Sequence, residues 1–141
     1  MSVTPIDVKQ REQREATLRA LLDAQNRHDP EACLACFAHP RYELVGNQRV
    51  YDGADEVRRY YDTTFGAFPD LKLELIAAHH SERAVFVEMW MSGSHLGSRH
   101  DFEATGKHFR CRAAAVFQFD DAGLVGARIY YDTGTIARQL A

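Results

Sequence analysis

Three cysteines and four prolines in 141 residues leave the chain little covalent or conformational punctuation. A small, odd set of cysteines argues against a disulfide framework and for a reducing compartment. The prolines, Pro5, Pro30, Pro40 and Pro69, stand only in the first half, each where a helix would start or stop. No apolar run nears the length of a membrane span, and Met1 to Arg14 is polar without a secretory core. Nor is there a basic block: the formal net charge is −3 with both signs interspersed, which makes nucleic acid and anionic membranes poor partners. Repeats, linkers and low-complexity segments are missing too. What remains is ordinary: 45% hydrophobic and 26% charged residues exclude disorder, and the length suits one domain with a real core. The expectation is a single domain, residues 1–141, in the cytoplasm.

Thr4, Pro5 and Asp7 read as a helix start, with a hydroxyl cap, proline in the first turn and an acid near the positive end of the dipole. Lys9 to Glu15 is wholly polar, whereas Leu18, Leu21 and Leu22 share a face, so only the second half of this helix should pack. His28-Asp29-Pro30 ends it and opens a short helix with Cys33, Leu34, Cys36 and Phe37 inward. Tyr42 to Val45, Gly46-Asn47-Gln48 and Val50-Tyr51 form a hairpin pattern. Asp52 is placed to cap the next helix. Its apolar positions Val57, Tyr60, Tyr61, Thr64, Phe65 and Phe68 keep helical spacing until Phe68-Pro69-Asp70 stops it.

Beyond Leu71 the apolar period becomes two. Leu71 to Leu75, Val85 to Met91, Phe109 to Phe119 and Leu124 to Asp132 make four long strands with mostly short connections, an antiparallel meander. Helices first and sheet second is an α+β plan. The second face of that sheet carries Phe86, Glu88, Trp90, Arg110, Arg112 and Gln118, more aromatic than a solvated face needs. A homodimer through this open face is expected, and a monomer in sedimentation at micromolar concentration would remove it.

Two polar residues are placed to carry chemistry. Asp132 ends the last strand beside Tyr130 and Tyr131. In an apolar cavity its pKa would rise, making it a base near neutral pH. The alternative is a carboxylate that caps the closing helix on the amides of Gly134 or Thr135. Strict alternation, with Val125, Ala127, Ile129 and Tyr131 inward, sends Asp132 outward unless a bulge or turn re-aims it. His95 has the parity of Met89 and Met91 and so can enter the same interior. It either shuttles a proton or polarises a carbonyl, or it is a loop histidine bonded to backbone. His79-His80, His100-Asp101 and His108 lack a ligand spacing fixed on a helix, so no metal is expected. Cys33-Leu34-Ala35-Cys36 follows no strand and reads as two buried small hydrophobes.

Several short stretches together resemble the SnoaL-like polyketide cyclases of the nuclear-transport-factor-2-like superfamily. They are His28-Asp29, Phe68-Pro69-Asp70, Gly93-Ser94-His95-Leu96-Gly97, Ala104-Thr105-Gly106-Lys107, and Asp132 with Arg138-Gln139-Leu140. The resemblance runs from about His28 to the end. It implies a cone, a strongly curved antiparallel sheet wrapped around N-terminal helices like a cystatin-type α+β barrel, with a deep apolar pocket inside. In such cyclases an acid on the last strand is the general acid/base for aldol closure of an aromatic polyketide ester, without cofactor or metal. By position that acid is Asp132, and the histidine of the family's Gly-Thr-His-x-Gly stretch is His95. Ser94 in place of threonine, Ala104 in place of proline and Ala141 in place of glycine depart from the pattern.

A pocket lined by Phe37, Tyr51, Tyr60, Phe65, Phe68, Met89, Met91, His108 and Phe117 is expected to take a small, flat, apolar substrate or ligand. Tyr51 or Tyr60 is placed to offer a phenol to an enolate oxygen. The leading reading is a cofactor-independent acid/base enzyme, a cyclase or isomerase, with Asp132 and His95 catalytic. The alternatives are a non-catalytic module binding a small molecule or a protein, and an epoxide hydrolase. The last needs an Asp-Arg-Asp set for which Arg128 is the nearby arginine and spacing assigns no carboxylates.

Overall fold

The computed structural model describes residues 7–98 and 103–141. The expected cap Thr4 and first-turn Pro5 lie outside them, as do His100 and Asp101. In chain order the elements are α1 (Val8–Asn26), α2 (Pro30–Ala35), β1 (Arg41–Leu44), a 3-10 turn (Val45–Asn47), β2 (Arg49–Asp52), α3 (Ala54–Ala67), β3 (Lys72–His80), β4 (Ala84–Ser94), β5 (His108–Asp120), β6 (Gly123–Tyr131) and α4 (Thr133–Leu140). One six-stranded sheet runs in the order β2-β1-β6-β5-β4-β3. Strands β3 to β6 form the expected antiparallel meander. The β1–β2 hairpin joins it through a parallel β1–β6 pair, so the sheet is antiparallel at every junction but one. The result is the expected α+β cone, with α1 to α3 lying in the hollow of a curved sheet.

The period-two positions explain which way each strand faces. Val85, Val87 and Met89 on β4, and Phe109, Cys111, Ala113, Ala115 and Phe117 on β5, are buried. All but Phe109 and Cys111 meet Leu18 and Leu21 of α1, Cys33 of α2 and Val57 and Tyr61 of α3 in the principal core, and those two join a second cluster with Phe68 and Ile136. On the outer face Phe86 is exposed, and the Arg110 guanidinium lies 3.6 Å from the Trp90 ring centroid. The sequence expectation for both faces of β4 and β5 therefore holds.

Four local expectations are corrected. Asp7 is itself the cap of α1, its carboxylate accepting the Gln10 amide at 2.7 Å. The polar first half of α1 does pack: Arg14 is buried, donates to the carbonyls of Ser81 and Glu82, and lies over Phe119, while Glu15 reaches His80 at 2.7 Å. Gly53, not Asp52, is the cap residue of α3, because the Asp52 carboxylate is taken by His39 at 2.6 Å. Finally, bulges break two strand alternations. Ile76 has no partner on β4 and Leu75 is 55% exposed, while Leu124 rather than Val125 pairs with Phe119 and is buried.

Candidate functional site

Three stretches far apart in the chain converge on His95. Met91 and Gly93 on the inner side of β4 are followed, one residue beyond the strand's end, by His95 in the same parity. Gly93 has no side chain where the Phe68 and Phe109 rings crowd in, and a Cβ there would lie 3.2 Å from Phe68 Cβ. The strand end is pinned by Asp70, whose carboxylate accepts the Ser94 amide at 2.6 Å and its hydroxyl at 2.7 Å; these bonds hold the acid below its ordinary pKa. Leu96 and Gly97 then donate their amides to the Ala67 carbonyl at the end of α3, each at 3.1 Å. A Cβ on Gly97 would fall 2.1 Å from the Gly66 carbonyl oxygen, so only glycine permits this approach. From the other side the His95 amide donates to Lys107 O at 2.9 Å and Gly106 returns its amide to His95 O at 2.8 Å. Gly106 has φ +72°, a conformation that glycine adopts without strain.

The imidazole so held is 4% exposed and packs against Phe68, ring centroids 5.4 Å apart. Its Nδ1 faces both the amide and the hydroxyl of Thr105, each at 3.4 Å. Its Nε2 is buried and has no hydrogen-bond partner among the described residues. His95 lines a cavity of about 600 Å³ together with Phe68, Tyr131, Ile136, Ala137 and Leu140, and with a polar rim of Asn47, Arg49, Glu103, Thr105 and Thr133. Helix α4 forms one wall. Ile136 is buried against Phe68, Leu71, Phe109 and Cys111, and the Gln139 side chain both accepts from and donates to the Arg110 backbone, at 2.6 and 3.1 Å. Gln139 thus occupies the backbone edge of β5 ahead of Ala113, where its pairing with β6 begins.

Asp132 stands elsewhere. Its side chain is 67% exposed and lies on a separate open hollow with Glu88, Arg112 and Tyr130. It is the cap of α4: Oδ2 accepts the Thr135 hydroxyl at 2.7 Å and Oδ1 the Gly134 amide at 3.0 Å. Those two bonds hold its carboxyl below the usual aspartate value, opposite to the rise that a desolvated base requires. The geometry thus matches the capping alternative, and alternation along β6 correctly sends the group outward.

Of the pocket residues expected from sequence, Phe68 lines the cavity with His95. Phe37, Tyr51, Tyr60, Phe65, Met89, Met91 and Phe117 belong instead to the principal core or pack on it. The tyrosine rings meet tilted or edge-on, with centroids 5.1–5.5 Å apart, and the Gln25 amide, Tyr42 and Tyr61 satisfy each other's polar atoms deep inside. His108 is exposed, with Nδ1 3.0 Å from the Ser94 hydroxyl. Burial pushes the Cys33 thiol up to about 12, in keeping with a small core residue rather than a redox thiol. Sequence reasoning missed Asn47, Arg49, Glu103, Thr105, Tyr131 and Ile136 as lining residues. The i, i+4 pair Ile136 and Leu140 was the one available signal for an apolar helix face closing the cavity.

Comparison with known proteins agrees with this architecture. Among solved structures, a protein of Xanthomonas campestris described as a candidate polyketide cyclase superposes with TM-score 0.83 at 18% identity, covering 93% of this chain and 98% of that one. IdmH of Streptomyces antibioticus, also described as a candidate polyketide cyclase, gives 0.74 at 20% identity over 91% and 98%. An NTF2-like protein of Burkholderia thailandensis gives 0.73 at 27% identity over 89% and 95%. No curated protein matches the chain. The SnoaL-like domain model matches residues 18–126, most of the chain, and the protein belongs to the SnoaL-like domain family.

Proposed function

We propose that this protein is a small acid/base enzyme that moves a proton beside the carbonyl of a hydrophobic, ring-bearing substrate bound against α4, in a cyclisation or an isomerisation. The observation that carries the reading is His95, a rigidly held imidazole that lines an otherwise largely apolar cavity and whose buried Nε2 has no partner among the described residues. A buried polar atom without a partner costs about 1–3 kcal/mol, and a ligand oxygen or proton at that point would recover it. Glu103 is the one acidic side chain among the described lining residues, and the reading gives it the role of proton acceptor with His95 at the substrate oxygen. Asp132 is assigned to hold α4 in place. The candidate cyclases among the structural relatives are consistent with this class of chemistry. The outer sheet face is assigned to pairing of two copies.

One observation favours a second reading, a binding module without turnover. The exposed, capping Asp132 with its lowered pKa supports the carboxylate-cap alternative over the desolvated base. An epoxide hydrolase is not supported, since Arg128 does not line the cavity and no aspartate stands among its described lining residues.

Proton exchange in D2O separates the readings. Aromatic β-keto esters and cyclic enones are incubated with the protein and the signal of the proton beside the carbonyl is followed by NMR. The enzyme reading expects catalysed exchange that falls by about 100-fold or more in Glu103→Gln and His95→Ala. Binding without exchange selects the module, and neither binding nor exchange overturns both.

A further inference from the structure

The clasp around His95 does more than hold the ring in place. An amide N–H can only donate, and the Thr105 amide points at Nδ1. The Thr105 hydroxyl lies at the same distance from Nδ1; its oxygen accepts the Lys107 amide at 3.3 Å, and its rotatable proton is available to donate to an Nδ1 that the amide already requires to be an acceptor. A proton on Nδ1 would face the amide proton head-on. The imidazolium form carries that proton as well and meets the same opposition, in a site without a partner carboxylate among its described contacts.

We infer that Thr105 fixes His95 as the neutral tautomer with its proton on Nε2, so that the cavity presents a hydrogen-bond donor selecting ligands with an oxygen acceptor, such as a ketone, an ester carbonyl or a phenolate. Thr105 is a positioning residue, acting through His95. The inference deepens the proposed function and rests on its assignment of this cavity as the binding site. It also gives a physical reason for the role proposed there: His95 stabilises negative charge on the substrate oxygen and does not abstract the proton. The Ala104-Thr105-Gly106-Lys107 stretch thereby gains a physical reason. Gly106 turns the chain, Lys107 receives the His95 amide, and Thr105 sets the ring proton.

The test is long-range proton–nitrogen correlation NMR of the full chain labelled with nitrogen-15, at neutral pH and without ligand. The expected result is a pyridine-type Nδ1 and a pyrrole-type, protonated Nε2 for His95. In Thr105→Val, which loses the hydroxyl and keeps the amide, Nδ1 should move toward the position of an unbonded pyridine-type nitrogen, and in Thr105→Ser it should stay. Backbone amide spectra of both variants establish that the fold is retained. A protonated Nδ1, an imidazolium, or an Nδ1 unmoved in a folded Thr105→Val overturns the inference. The readout needs no turnover, so its failure is distinct from failure of the enzyme reading. A donor Nε2 without proton exchange leaves a binding module for oxygen acceptors. Exchange with a protonated Nδ1 leaves the enzyme and removes Thr105 from its explanation.

Discussion

At the scale of single residues, Asp132 and His95 show how neighbours decide what an ionisable group does. Asp132 accepts two local hydrogen bonds in the open and is held as a carboxylate. Because its folded pKa is depressed, its capping contribution is fully present above the ordinary value of 3.8 and is lost as pH falls through the lower folded one. Asparagine caps about as well as aspartate and alanine does not. Asp132→Asn should therefore leave thermal melting, ligand binding and any proton exchange near those of the parent, while Asp132→Ala lowers the melting temperature by a few degrees. Loss of exchange in a well-folded Asp132→Asn would restore the carboxylate as the base. Both positions were partly legible: parity carried His95 inward and Asp132 outward. The state of the His95 ring was not legible, since it depends on Thr105, ten residues away in the chain.

At the scale of elements, the site depends on the end of α3 touching the end of β4. Gly97 is the contact point, and its missing side chain is what lets two amides reach the Ala67 carbonyl. Gly97→Ala places a carbon against the Gly66 backbone, which cannot yield as a flexible side chain could. Urea denaturation should show a loss of about 1–3 kcal/mol, together with weakened ligand binding; an unchanged midpoint would mean that the contact is not needed. Element types were readable because periods of 3.6 and 2 are strong signals in α3, β4 and β5. The caps and bulges were not. Asp52 looks like a cap until His39 is seen to take its carboxylate, and nothing in Ile76 or Val125 marks the extra residue that reverses alternation beyond it.

At the scale of the whole molecule, the α+β plan of helices preceding a four-strand meander was legible in the pattern of the sequence, and the cone was what the family resemblance implied. The position of the cavity was not. An aromatic residue that fills the core and one that lines a pocket share the same period, so Tyr60, Phe65 and Phe117 could not be told from Phe68 until α4 was seen folding back over β5 to form a wall with Ile136 and Leu140. The central claim is that this cavity binds apolar molecules and that His95 is its polar contact. Its most direct test is calorimetric titration of the parent and of His95→Ala with an aromatic ketone and with the hydrocarbon of the same shape. The account predicts that the ketone binds the parent about tenfold more tightly than it binds the variant, equivalent to about 1.4 kcal/mol, while the hydrocarbon binds both alike. Equal affinity of the ketone for the two proteins would contradict it.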